Sequence, residues 1–209
     1  TKVLVAPYDA KQIYMAQISN LDKKYDPAIE PIRALYDEYF GGGMNSIVFQ
    51  EMRETRGLAY SAWASIMPPS YLKYPYVLRT QIATQNDKMI DAVTTFNDII
   101  NNMPESEAAF KLAKDGLTNR LRTERIIKGD IIWSYINAQD LGQNVDPRIK
   151  LYNDIQNMSL KDIVDFQKQW VKGRTYVYCI PGDKKDLELD KLKAVGPIEE
   201  LTQEQIFGY

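Results

Sequence analysis

Arg53 and Tyr60 stand seven positions apart, with Gly57 between them, in the stretch FQEMRETRGLAYS. The charged, amphipathic run before the glycine reads as the end of a helix, and LAYSAWAS after it alternates as a strand does. Arg53 falls on the last turns of that helix, where the dipole favours a cation. Tyr60 opens the strand. A helix end and a strand start that meet at a glycine hinge can point a guanidinium and a phenol at one concave spot. Those groups suit a peptide carbonyl, or the oxyanion that forms when water attacks it. On residue types alone plainer roles carry more weight: an Arg in a surface ion pair and a Tyr on a half-buried strand.

Other chemistries have less behind them. The sequence contains no histidine, which removes Ser-His-Asp and Cys-His arrangements and every His-containing zinc motif. Glu51, Glu54, Glu105, Glu107, Asp183 and Asp186 read as solvated helix faces and caps rather than as paired acid–base groups. Arg120, Arg122 and the pair Lys184–Lys185 read as surface charge. The single cysteine, Cys179, lies in TYVYCIP and is expected as a buried strand thiol with no disulfide partner. Gly41–Gly43 follow a predicted helix and lack the Gly-Lys-Ser/Thr ending of a phosphate loop. A helix C-cap followed by an N-cap accounts for all three. No catalytic residue and no metal ligand is expected in the chain.

The elements that must position Arg53 and Tyr60 follow from periodicity. The chain has 209 residues, 44% hydrophobic and 26% charged, with a net charge of −2, enough to bury a core as one domain over residues 1–209. That balance argues against a nucleic-acid surface, and no apolar run approaches the roughly 20 residues that span a bilayer. VLV and QIYMAQIS read as β, with Ile13, Met15 and Gln17 on one face and Gln12, Tyr14, Ala16 and Ile18 on the other. A helix begins at Asp26-Pro27, and a second is capped by Asn45 or Ser46, with Ile47, Val48, Met52 and Thr55 on its buried face. Two strands joined by PPSYLKYP come next. Met89, Ile90, Val93, Phe96, Ile99, Ile100 and Met103 then form a helical stripe. Further helices run from Glu107, from Gly129 to Gly142, and from the capping box Ser159–Asp162. TYVYCI is a closing strand. Strand pairs interleaved with helix pairs predict an α+β fold, a mostly antiparallel sheet with helices packed on one face.

GGGMNSIVFQEMRETRGLAYS, Gly41 to Ser61, resembles the signature of the M16 (pitrilysin, or mitochondrial-processing-peptidase-like) zinc metallopeptidases. There a Gly-rich turn leads through Ser-Arg/Ile-Leu/Val-Phe to Arg-x-x-x-Gly-Leu-Ala-Tyr. The tail GPIEELTQEQIFGY agrees as well, and the resemblance covers essentially the whole chain. It implies a two-half enzyme in which one half holds zinc through His-x-x-Glu-His and a distal Glu. The other half closes the chamber, and an Arg and a Tyr of its glycine-hinged segment reach the substrate. Those positions correspond to Arg53 and Tyr60.

Lacking histidine, this chain resembles the inactive, C-terminal-type half. No cofactor is then expected in this domain, and zinc is expected in the partner half. The partners implied are that zinc-bearing half, in the same chain or as a separate subunit, and an extended peptide. Nucleic acid and membrane insertion are not implied. The alternative is a structural or assembly subunit, or a peptide-binding module, of the same fold without proteolysis. The start at Thr1 without an initiator Met predicts a piece of a longer chain. Bacterial relatives with such tandem halves are often exported, so the periplasm is the expected compartment for one of them.

Overall fold

The computed structural model describes residues 1–9, 12–183 and 185–208. Lys184, expected as surface charge, and Tyr209 of the predicted tail lie outside the described residues. Six strands form one sheet, in the order β3-β4-β2-β5-β1-β6. They are β1 (Lys2–Pro7), β2 (Gln12–Lys24), β3 (Ser61–Met67), β4 (Pro75–Gln85), β5 (Val177–Gly182) and β6 (Ile198–Glu200). The pairings β3–β4, β4–β2 and β2–β5 are antiparallel, and the two that β1 makes, with β5 and β6, are parallel. The expected sheet is thus mostly antiparallel, with a parallel end closed by the pairing of Val3 with Tyr178.

Alternation along β2 decides which face is covered. Ile13, Met15, Gln17 and Leu21 are buried, while Tyr14 and Ile18 between them are exposed. The buried face meets α1 (Glu30–Phe40), α3 (Met89–Asn101) and α7 (Leu160–Trp170), with α4 (Glu107–Thr123) and α6 (Pro147–Ile155) packed on α1. The α3 stripe is buried at Met89, Val93, Phe96, Ile99 and Ile100, as its spacing requires. Polar atoms beneath the sheet are paired with one another: Thr80 donates to Gln17 (2.8 Å), and Gln17 (2.8 Å) and Tyr178 (2.9 Å) both donate to Asn97. The capping box of Ser159 and Asp162 opens α7 as predicted.

Some expectations are corrected. The first helix starts at Glu30 rather than at Asp26-Pro27, because residues 27–29 form a turn. Cys179 is half-buried, not buried. It shares the register of Ala16 and Leu4 and so lies on the uncovered face. What burial it has pushes its thiol up from the ordinary range. Among the described residues no helix is long and apolar enough to cross a membrane.

Candidate functional site

The segment after α1 is more specialised than two caps. Gly41 does end α1, its N–H donating to the Asp37 carbonyl (3.0 Å), but with φ −142° it is not in the left-handed region. Its lack of a side chain serves proximity instead. A Cβ there would lie 2.3 Å from the Ala64 carbonyl oxygen and 2.5 Å from the Ala64 nitrogen, on β3. At Gly42 the obstacle would be the Asp37 carbonyl oxygen at 2.8 Å, and at Gly43 there would be none within 4 Å. The expected double cap therefore explains the position of Gly41 but not its residue type. Ser46 is the N-cap of the next helix, accepting from the Phe49 N–H (3.4 Å).

That helix, α2 (Ile47–Phe49), has one α-helical turn and continues as a π-helix over Gln50–Thr55. The wider winding changes which residues face inward. Ile47, Val48 and Met52 are buried as predicted, but Thr55 is exposed, since the α-helical repeat no longer holds past Met52. Gly57 then turns the chain with φ +58°, a conformation that suits glycine. The N–H groups of Leu58 (2.8 Å) and Ala59 (3.2 Å) both donate back to the Met52 carbonyl. Tyr60 enters the sheet through its own N–H, which donates to Ala83 (2.8 Å).

Arg53 and Tyr60 meet. The Arg53 guanidinium carbon lies 5.4 Å from the centre of the Tyr60 ring and 5.1 Å from that of Phe49, so the cation stacks on two aromatic faces. Such contacts contribute about 0.5–1 kcal/mol each at exposed sites and leave the in-plane N–H donors directed outward. The exposed Glu54 carboxylate, 3.6 Å away, is a weak competitor for those donors. Tyr60 is 70% exposed, more than the half-buried strand position of the plainer reading.

Beside the pair runs a groove of about 410 Å³, lined by Gly41–Gly43, Phe49 and the outer edge of β3. Much of that edge is already engaged. Gly41 accepts from Ala64 N–H (3.4 Å), Asp37 accepts from Ile66 N–H (2.9 Å), and Arg33 donates to the Ile66 carbonyl (2.9 Å). With backbone direction alternating along a strand, Ala62 is the next residue on the same edge, nearest Tyr60. The groove was not legible in sequence, because it requires α1 to lie against β3.

Among the described residues no three His, Cys, Asp or Glu side chains cluster as a metal site would require. The residues of this chain do not fit the zinc that the resemblance implies for the enzyme. Asp37 is the buried carboxylate of the region, and its oxygens are taken by Arg33, Ser65 and Ile66.

A model of the peptidase M16 inactive domain matches residues 12–117, just over half of the sequence, and the chain belongs to that family. No curated protein matches the sequence. Among solved structures, the M16 inactive domain from Pseudomonas fluorescens is similar in fold, with TM-score 0.73 at 15% identity. The match covers 88% of this chain and 44% of that one. The inactive peptidase domain of a proposed zinc protease from Bordetella parapertussis gives TM-score 0.66 at 12% identity, over 85% of this chain and 97% of that one. Complex III2 from Candida albicans contains a chain that matches with TM-score 0.65 at 13% identity, over 93% of this chain and 49% of that one. The first of these structures is about twice as long as the part this chain matches.

Proposed function

We propose that residues 1–209 form the substrate-positioning half of an M16 zinc endopeptidase, working with a zinc-bearing half that carries the catalytic groups. The observation that carries this reading is the stacking of Arg53 on Phe49 and Tyr60, since Phe49 also lines the β3 groove. An extended peptide entering the groove pairs with β3 around Ala62, as strand addition would have it. Its carbonyl then receives hydrogen bonds from the Arg53 guanidinium and the Tyr60 hydroxyl. Donors already in place stabilise the charge that develops on that oxygen when water adds to the carbonyl. Water activation and metal chemistry belong to the other half, and no residue here takes that part.

The test uses the intact two-half enzyme and a peptide substrate. Tyr60→Phe and Arg53→Ala are each expected to lower kcat/KM by ten-fold or more, about 1.4 kcal/mol in the barrier. Wild-type kinetics for both variants would return the two residues to surface roles. Those variants leave the core untouched, so unfolding is expected to match wild type.

The complex III2 match favours a second reading, an assembly subunit with the same fold and no proteolysis. The partner half separates the two. A His-x-x-Glu-His there supports the peptidase, and a partner without zinc ligands supports assembly.

A further inference from the structure

Arg79 stands near the middle of β4, on the sheet face that no helix covers, and its side chain is exposed. Its register partners, Ser65 on β3 and Ile18 on β2, carry no charge. Neither do the β3–β4 rows on either side of it, Trp63 with Gln81 and Met67 with Val77. Among the described residues no carboxylate forms an ion pair with Arg79. Its guanidinium carbon lies instead 5.5 Å from the centre of the Trp63 ring. Trp63 belongs to β3, the edge strand, so the cation reaches across one strand toward the open edge. Stacking holds the guanidinium by its face and leaves the fork of N–H donors in its plane available to an acceptor. A carboxylate fits such a fork with two parallel hydrogen bonds.

Trp63 also lines the β3 groove, together with Gly41–Gly43 and Phe49. A peptide strand paired with β3 around Ala62 sets the side chain opposite Trp63 on the uncovered face. Beyond it the Ala64 N–H is taken by the Gly41 carbonyl (3.4 Å), so the paired stretch is short and that position is the one read there. Neighbouring strands lie about 4.8 Å apart, which puts β4 about 10 Å from the added strand. Arg79 spans the first half of that distance by lying over Trp63, and an aspartate or glutamate of the peptide spans the rest. We infer that Arg79, held on Trp63, is a specificity residue of this half and selects peptides with an acidic side chain facing Trp63. This assignment deepens the function proposed above and rests on it, since the reacting carbonyl is then at Arg53 and Tyr60. Trp63 lies three residues past Tyr60, about 10 Å along a strand, so the acidic side chain falls about three residues from the bond that is cut. One guanidinium, with no second cation in the flanking rows, suits a singly charged carboxylate rather than a phosphate.

Paired peptides test it on the intact two-half enzyme. Each is acetylated and amidated, which removes the terminal carboxylate, and carries Glu or the isosteric Gln two to four residues from the cut on either side. At one position Glu is expected to raise kcat/KM about five-fold over Gln, the strength of a well-held exposed ion pair. Arg79→Gln is expected to bring that ratio to about one, and Arg79→Glu to shift the preference at the same position to Lys. The reading is a ratio of two substrates, so a general loss of activity does not enter it. An equal ratio in wild type and Arg79→Gln overturns the inference. A preference seen only with peptides whose C-terminus is left free assigns the cation to the end of the chain and overturns it too. If Tyr60→Phe slows cleavage while the ratio does not respond to Arg79, the proposed function stands and only this subsite falls. If Tyr60→Phe cleaves as wild type does while Arg79→Gln still abolishes the ratio, the subsite stands and the carbonyl contact falls. With a partner half that lacks zinc, fluorescence anisotropy compares the same peptides. Tighter binding of the Glu peptide, lost in Arg79→Gln, supports the subsite, and equal affinities overturn it.

Discussion

Gly41→Ala is expected to destabilise the chain by about 3 kcal/mol, at the top of the range for overpacking, whereas Gly43→Ala is expected to stay within about 0.5 kcal/mol of wild type. The added methyl carbon at Gly41 would fall 2.3 Å and 2.5 Å from backbone atoms of Ala64. Backbone in a paired strand cannot rotate away as a side-chain tip can. β3 would have to retreat from α1, opening the hydrogen bond from the Ala64 N–H to the Gly41 carbonyl and loosening those that the Ser65 hydroxyl and the Ile66 N–H donate to Asp37. At Gly43 the same carbon meets nothing within 4 Å, and its φ is not positive. Urea denaturation of the three proteins decides the matter through the midpoints at constant m-value. Equal costs at Gly41 and Gly43 would show that backbone freedom, not close approach, is what glycine provides in this loop.

The contrast shows what the sequence made legible. Local periodicity placed the core face of β2 and the stripe of α3, because both depend only on which side of one element is buried. Hinge chemistry was equally local: Gly57 turns the chain, and Arg53 and Tyr60 meet across it. The reason for Gly41 was not local. It depends on Ala64, 23 positions away, and no spacing rule reports such an approach. The π-helix was hidden for a related reason. QEMRET fits an α-helical pattern, and its winding is set where Leu58 and Ala59 bond back to Met52. Parallel pairing at β1 joins the two ends of the chain, a non-local contact that alternation cannot choose. α5 (Gly129–Asp140) was predicted as a helix, but its exposed apolar face is a fact of placement. Its sequence would suit a core helix equally well.

Asp37→Ala is expected to be as costly as the glycine change or more so, about 3–5 kcal/mol, because it removes one partner from a buried ion pair. Asp37 receives hydrogen bonds from Arg33 (2.8 Å), Ser65 (2.8 Å) and Ile66 N–H (2.9 Å), and Glu30 holds the other side of the Arg33 guanidinium (3.0 Å). Both charges of the Arg33–Asp37 pair are largely shielded, with side chains about 15% exposed. Burial pushes the Asp37 carboxyl up to about 6, against the opposing pull of Arg33 and of the bonds from Ile66 and Ser65. The folded state therefore holds this proton more tightly than the unfolded chain, whose aspartates titrate near about 4. Between pH 4 and 6 folding takes up a proton at Asp37, so its contribution is greatest at the acid end and is lost as pH rises toward 6. The stability difference between wild type and Asp37→Asn, which cannot titrate, is expected to shrink by on the order of 2 kcal/mol across that window. Taking the difference cancels the other carboxylates common to both proteins. Urea unfolding at pH 4.5, 5.5 and 7 gives the slope directly. A difference that grows with pH would mean that the pair with Arg33 outweighs burial and that the carboxyl lies below its ordinary range. A flat difference would remove Asp37 as a titrating group, while the cost of Asp37→Ala would still measure the clamp that holds α1 against the edge of β3.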